Sequence, residues 1–351
     1  MQQHPVTLSL NFMPAFFHKH TGVVYGEAYY FDPRYRAAVE RIEGRFLNDI
    51  LGRFGVGSPD PTPSPSLFIQ PIDLVKATQG ATVYCPADAT LETRGHPWAA
   101  LTVEEIARLD PHAAAAHPFI DAILRQYQEL VHLYGDRADL FGLKGGRLNI
   151  HAPYTTAHQL CGEAVFYLLA DDPAGARLVF ETILAIYLAI VARLRAELQA
   201  PEPTWVQLGD CSASLLSEPV YREAVLPVNQ AIAAAYPRAG YHSCGSSSHL
   251  LAAFAELPHV QALELGPGTD LAQAVALLPG VTMCPLIDPV LMRDGSPAMV
   301  RDYLGAMLAA TAPAPATTLC AWSLDRDTPI ANVEALYQAV AASHGGGRTA
   351  D

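Results

Sequence analysis

The sequence predicts an α/β chain folded as a single (β/α)8 (TIM) barrel with an irregular N-terminal region. Three observations predict it. Beyond about residue 147, short apolar strands alternate with helices in a steady rhythm, the pattern of βα units on a parallel sheet. Six such units, with at least one strand near the N-terminus, approach the eight of a closed barrel. No strand is followed by a glycine-rich phosphate loop. Gly266-Pro267-Gly268 lacks the third glycine, which disfavours the competing doubly wound open sheet. The expected organisation is one barrel domain over 1–344, with an N-terminal elaboration over about 1–140 and a flexible tail over 345–351 (GGGRTAD).

Val6 to Phe12 alternates as a strand does, and an aromatic, histidine-bearing loop from His18 to Phe31 follows. Asp32-Pro33 starts a helix to about Leu51, with Asp32 as N-cap and Pro33 at the first helical position. Ser58 to Pro65 (SPDPTPSP) is a connector that is neither helix nor central strand. Thr102 opens a helix to Leu109 with Glu104 and Glu105 in its first turn, and Pro118 to Tyr134 forms another.

The rhythm then sets in. Leu148 to His151 is a strand, and a helical region from His158 to Leu198 is broken at Asp171-Asp172-Pro173. Strand Trp205 to Gly209 precedes helix Glu218 to Tyr236. Strand Gly240 to Cys244 precedes helix Ser247 to Leu257. The last units pair Ala262–Leu265 with Leu271–Leu278, Val281–Ile287 with Ser296–Ala310, and Thr317–Trp322 with Ile330–Ala342.

A net charge of −13, from 22 basic and 35 acidic residues, argues against a nucleic-acid binder. The N-terminus shows no signal peptide. The most apolar stretch, Thr182 to Ala192 between Glu181 and Arg193, falls short of the ~20 residues a membrane span needs, so a cytoplasmic protein without a membrane partner is expected. Six scattered cysteines in a reducing compartment favour thiols or metal ligands over disulfides.

His242 and Cys244 stand two residues apart on a strand, so imidazole and thiol point to one face. In a barrel the site lies at the C-terminal ends of the strands. There His242 and Cys244 are joined by Glu264 on the next strand and Cys320 on the last. Imidazole, thiolate and carboxylate are zinc donors, and thiolates favour zinc over magnesium or manganese. His242, Cys244 and Cys320 are the candidate ligands, with Glu264 or a substrate atom fourth. Cys211 and Cys284 read as core thiols. Asp210 is a candidate catalytic residue, orienting substrate or a zinc ligand, with helix capping as its alternative. Tyr25, Glu27 and His151 are candidate substrate contacts, with Tyr29 and Tyr30 completing an aromatic lid or wall.

These residues resemble the uroporphyrinogen decarboxylase superfamily, in its zinc-dependent methyltransferase branch. His242-Ser243-Cys244 with Cys320 is similar to that branch's His-x-Cys and distant Cys. Ala152-Pro153-Tyr154-Thr155-Thr156-Ala157, Asp171-Asp172-Pro173, Gly209-Asp210 with Ser217-Glu218-Pro219 and Tyr221, Ile287-Asp288-Pro289 with Gly295-Ser296-Pro297, and Thr328-Pro329-Ile330 resemble further stretches in the same order. The resemblance covers about 140 to 343 and is thin before that. It implies a (β/α)8 barrel, a Zn2+ held by His242, Cys244 and Cys320, and a small thiol substrate. It also implies a corrinoid (cobalamin) methyl carrier, on a separate corrinoid protein.

Two departures stand out. The decarboxylase proper has an arginine-rich segment near its N-terminus, but no arginine precedes Arg34 here, so a polycarboxylate substrate lacks its clamp. The family's Gly-Asn before Asp-Pro is Pro285-Leu286. The expected function is zinc-dependent methyl transfer between a corrinoid and a small thiol. The rivals are a metal-independent decarboxylase of the superfamily and a non-catalytic corrinoid- or tetrapyrrole-binding protein. A homodimer is the default assembly.

Overall fold

In the computed structural model, which describes residues 5–345, the chain is built on one curved parallel sheet of seven strands. These are β1 (Val6–Phe12), β2 (Arg147–His151), β3 (Trp205–Gly209), β4 (Arg238–Ser243), β5 (Val260–Leu265), β6 (Thr282–Pro285) and β7 (Thr317–Leu324). Their order is β1-β7-β6-β5-β4-β3-β2, so the chain's first strand pairs with its last. The architecture is TIM-barrel-like, with one difference from eight equal strands. Between β1 and β2 the chain uses a two-residue parallel pair, Ser66–Leu67 with Asp139–Leu140, outside the main sheet. Phe68, Ile69 and Gln70 share a cavity with Asn11 and Phe12 of β1, and Asn149 of β2 donates to the Phe141 carbonyl at 3.4 Å. The gap is bridged by short segments because Pro61, Pro63 and Pro65 cannot contribute ladder donors.

Register places the chemistry. Asn149, Gln207, Gly240, Ala262 and Thr282 are direct neighbours across five strands, and His151, Gly209, His242, Glu264 and Cys284 form the next rung. Leu286, just past the end of β6, Cys320 on β7 and Ser9 on β1 continue the set. The alternate residues, among them Leu148, Ile150, Val206, Leu208, Ala239, Tyr241, Leu263, Leu265, Leu319 and Ala321, are buried and apolar apart from the Tyr241 hydroxyl. Alternation thus separates an apolar face packed under the helices from a polar face lining the mouth.

The helices follow their local signals. Asp32 caps Pro33–Leu51 through the Arg34 and Tyr35 amides, and Thr102 with Glu105 forms a reciprocal capping box on Val103–Ala107. Pro118–Tyr134 has the expected bounds. Asp172 accepts from the Gly175 amide where Pro173 starts the next helix, which explains the break after Asp171. Helix Glu218–Ala234 runs through a π-helical turn at Tyr221–Val225.

Two expectations need correction. His18 to Phe31 is not a loop but two short helices, Pro14–Thr21 and Gly26–Phe31, joined by a left-handed turn at Gly22. The helix Pro173–Leu198 is long and apolar enough to cross a membrane by length and composition, so the shortness of Thr182–Ala192 did not decide the question. Its buried side, including Val179, Phe180, Ile183, Ile186, Tyr187 and Ile190, packs into the main core. Of the expected tail, residues 346–351 lie outside the described residues.

Candidate metal centre

Gly209 ends β3 and Ser243 ends β4, and the first side chains beyond them turn over the same rim. The His242 Nε2 lies 2.8 Å from the Cys244 Sγ, and the Cys244 and Cys211 sulfurs share a hydrogen bond across 3.0 Å. The three donor atoms lie within 4.8 Å of one another. On its other side the ring's Nδ1 meets Glu264 at 2.9 Å, across the β4–β5 rung. One imidazole therefore has a thiol on one nitrogen, with a second thiol bonded to that sulfur, and a carboxylate on the other.

The backbone fixes this arrangement. The Gly266 amide donates to the Ser243 carbonyl at 2.8 Å, and a Cβ on Gly266 would stand 1.9 Å from the Cys244 oxygen. Gly266 is thus required for close approach of the β5 end to Cys244, not for phosphate binding. The Ser246 hydroxyl to the Gly268 carbonyl, and the Ser247 amide to the Thr269 hydroxyl, hold the two loops together, each at 3.0 Å.

Charge is distributed accordingly. The hydrogen bond with Cys211 and the neighbouring His242 hold the Cys244 thiol down at about 5, against burial. That same bond to Cys244, with burial, pushes Cys211 up. Burial opposes a charge on His242, but its contacts with Cys244 and Glu264 outweigh this and raise it to about 9. The metal-free cluster is a thiolate beside an imidazolium.

One nitrogen and two sulfurs are donors that zinc takes, and they fit the ion. The contacts of 2.8 and 3.0 Å are hydrogen-bond lengths. They are shorter than the ~3.5–3.8 Å edges implied by zinc bonds of about 2.0–2.3 Å, so small outward rotations convert one set into the other. Glu264 on Nδ1 stands where an outer carboxylate orients a ligating histidine.

The expected site residues divide. His242, Cys244 and Glu264 are brought together, and Cys211, read as a core thiol, joins them. Cys320 is not within that group: its thiol is buried, donates to the Thr318 carbonyl at 3.5 Å, and packs with Cys284 and Leu286. Asp210 is enclosed by protein. Its carboxylate is fully buried and accepts from Thr155 (2.7 Å), Tyr241 (2.9 Å) and Asn229 (3.0 Å), while its amide donates to the His242 carbonyl. The residue instead ties the β3 end to β4, one position before Cys211. His151 lies on the same rung as His242, across Gly209. Its buried Nδ1 has no hydrogen-bond partner among the described residues, and burial, then the His242 charge, lowers it to about 4. Tyr25, Tyr29 and Tyr30 line one cavity, and Glu27 lines another.

Trp322 went unnoticed in the sequence. Its ring stacks on His242 with centroids 5.8 Å apart and its Nε1 donates to Ser9 at 3.1 Å. The available signal was its position two residues after Cys320, on the same strand face.

Residues 75–343, well over half of the sequence, match the family model for uroporphyrinogen decarboxylase (URO-D). The chain belongs to the URO-D family. The structure of this family member is also similar to that of a methyltransferase from Methanosarcina mazei, with a TM-score of 0.65 at 14% identity, covering 98% of this chain and 95% of that one. No curated protein matches this URO-D family chain significantly.

Proposed function

We propose that this URO-D family member is a methyltransferase that moves a methyl group from a corrinoid, carried on a partner protein, to a small thiol, with zinc bound at the mouth. The observation that carries the reading is the convergence of Cys211, His242 and Cys244 at the C-terminal rim of the barrel. The similarity to a protein named a methyltransferase supports the reaction class.

His242 and Cys244 are the ligands on which geometry and resemblance agree. The third ligand is the thiolate of Cys211, already in contact with Cys244, or of Cys320, further round the mouth beyond Glu264. Geometry favours Cys211. Bound zinc lowers the pKa of an incoming thiol, so that it reacts as a thiolate at neutral pH. Glu264 holds the His242 ring through Nδ1, and Trp322 packs against its face, so Nε2 keeps its aim. Asp210 keeps the Cys211 and Cys244 strand ends in register. His151, kept neutral by burial on the rung of His242 and with its Nδ1 unpartnered among the described residues, is a protein group placed to bind the acceptor. The S–CH3 bond forms as the donor–methyl bond breaks, the electron pair stays on the donor, and the thiol proton is released. All six cysteines are free, which suits a cytoplasmic setting.

The test is metal analysis of purified protein together with transfer from methylcobalamin to 2-mercaptoethanol, followed by the corrinoid spectrum. One zinc per chain is expected, with both zinc and transfer lost in Cys244→Ala. Methyl transfer that survives complete chelation sinks the role of zinc, and protein that carries no zinc and transfers no methyl group sinks the proposal.

A further inference from the structure

A second chemistry lies at the N-terminal region of the chain. Beyond the end of β1 lies a cavity of about 340 Å3, whose walls include Phe12, Phe17, Tyr25, Tyr29, Phe68 and Glu43. Tyr25 and Tyr29 meet edge to face with centroids 4.7 Å apart, and Phe68 stands 53% exposed at the rim. In this aromatic enclosure Glu43 is the charged group, and the Tyr25 hydroxyl donates to it. The contrast with Glu40, one turn earlier on the same helix, is informative. Glu40 has Arg36 at 3.9 Å and the Ser64 amide at 2.7 Å. Among the described residues no lysine, arginine or histidine pairs with Glu43, and its charged neighbour Glu40 has the same sign.

A half-buried carboxyl without a cation holds a proton more tightly or takes a cation from elsewhere, and aromatic faces attract cations through their quadrupoles. We propose that this cavity binds a small organic cation of the methylated ammonium class. Two adjacent carboxylates repel anions. A group bearing methyls on nitrogen fits ring faces that offer few hydrogen-bond acceptors, while Glu43 balances its charge.

The cavity and the thiol cluster are linked through β1. Asn11, at the register shift between Leu10 and Phe12, lines the cavity, and Ser9, two residues earlier, accepts from Trp322, which stacks on His242. That the cation is a substrate in the methyl transfer rests on the function proposed above; its binding does not.

The experiment is calorimetric titration with choline and with its neutral isostere 3,3-dimethyl-1-butanol, on wild type, Glu43→Gln, Tyr29→Leu and Cys244→Ala. Folding of each variant is checked by circular dichroism and thermal melting. Choline is expected to bind at least about tenfold more tightly than the isostere, with the preference lost in Glu43→Gln and weakened in Tyr29→Leu. Cys244→Ala is expected to bind choline as wild type does. Wild-type protein that binds neither compound at millimolar concentration, or both equally, overturns the proposal. Choline binding that persists without any zinc or methyl transfer leaves this site standing and removes the other.

Discussion

Cys211 and Cys244 close two strands on one arc of the mouth, while Cys284 and Cys320 sit in two strands on the other. Both are neighbouring thiols at similar depth along the barrel. The first pair has an imidazole, a carboxylate behind it and solvent access at Cys244, and its outer thiol is held near 5. The second is packed with Leu286, Ala262 and Trp322, and burial pushes Cys284 up to about 12 and Cys320 up as well. Glu264 acts on both. Its charge raises Cys244 as it raises the thiols of the apolar pair, but on the first arc it also charges His242, which lowers Cys244. Position in a barrel mouth makes a cysteine eligible for chemistry. Its polar neighbours decide whether it performs any.

Metal retention separates the pairs most sharply. Removing Cys211 or Cys244 as alanine is expected to weaken zinc binding by about a hundredfold or more, measured by competition with a chromophoric chelator. Cys320→Ala is expected to retain the ion. A protein that keeps zinc without Cys211 and loses it without Cys320 moves the third ligand to the second pair.

Reactivity is the next measure. In chelator-treated protein at pH 7, iodoacetamide is expected to modify Cys244 about a hundredfold faster than Cys284 or Cys320, read by peptide mass spectrometry. Equal rates erase the distinction. Bound zinc is expected to protect Cys244 and leave the buried pair unchanged.

The first pair was only half legible in the sequence. Alternation put His242 and Cys244 on one face, and the strands that carry them were readable from β-branched and apolar runs; Trp205–Gly209 has the expected bounds. Cys211 was not legible, because its approach to Cys244 depends on the β3–β4 register and on Gly266, neither of which a local pattern encodes. The short helices Pro14–Thr21 and Gly26–Phe31 were missed because six to eight residues give too little periodicity to outweigh their aromatic composition. The partnership of Tyr25 with Glu43 was equally hidden, since the two lie on separate helices.

Gly266 offers a gentler perturbation. In Gly266→Ala the added methyl would stand 1.9 Å from the Cys244 carbonyl oxygen, so the backbone bearing that thiol has to move. A loss of zinc affinity of about tenfold is expected, with Cys320 alkylation unchanged. Gly280 has open space around its Cβ position, so Gly280→Ala is the matched control. Equal affinities in the two variants show that the loop contact does not hold Cys244.

The smallest effect tests whether the aromatic cavity is a third environment of its own kind. Burial raises the Glu43 carboxyl to about 7; the Tyr25 hydrogen bond opposes this and Glu40 adds to it. The groups facing it are Tyr25, Tyr29, Tyr30 and Glu40, and the tyrosines are all pushed upward, so they stay neutral across the range. The folded state holds the Glu43 proton more tightly than the unfolded chain. Stability therefore falls as pH rises from about 4.5 to 7, and Glu43→Gln flattens that slope. A cation prefers the ionised form, so choline affinity is expected to rise about threefold from pH 6.5 to 7.5 and then level off. In Glu43→Gln the same titration is expected to be flat. Zinc retention should not follow this profile, because its ligands titrate through different partners. A choline profile that persists without Glu43 assigns the pH dependence, and the cation contact with it, to another group.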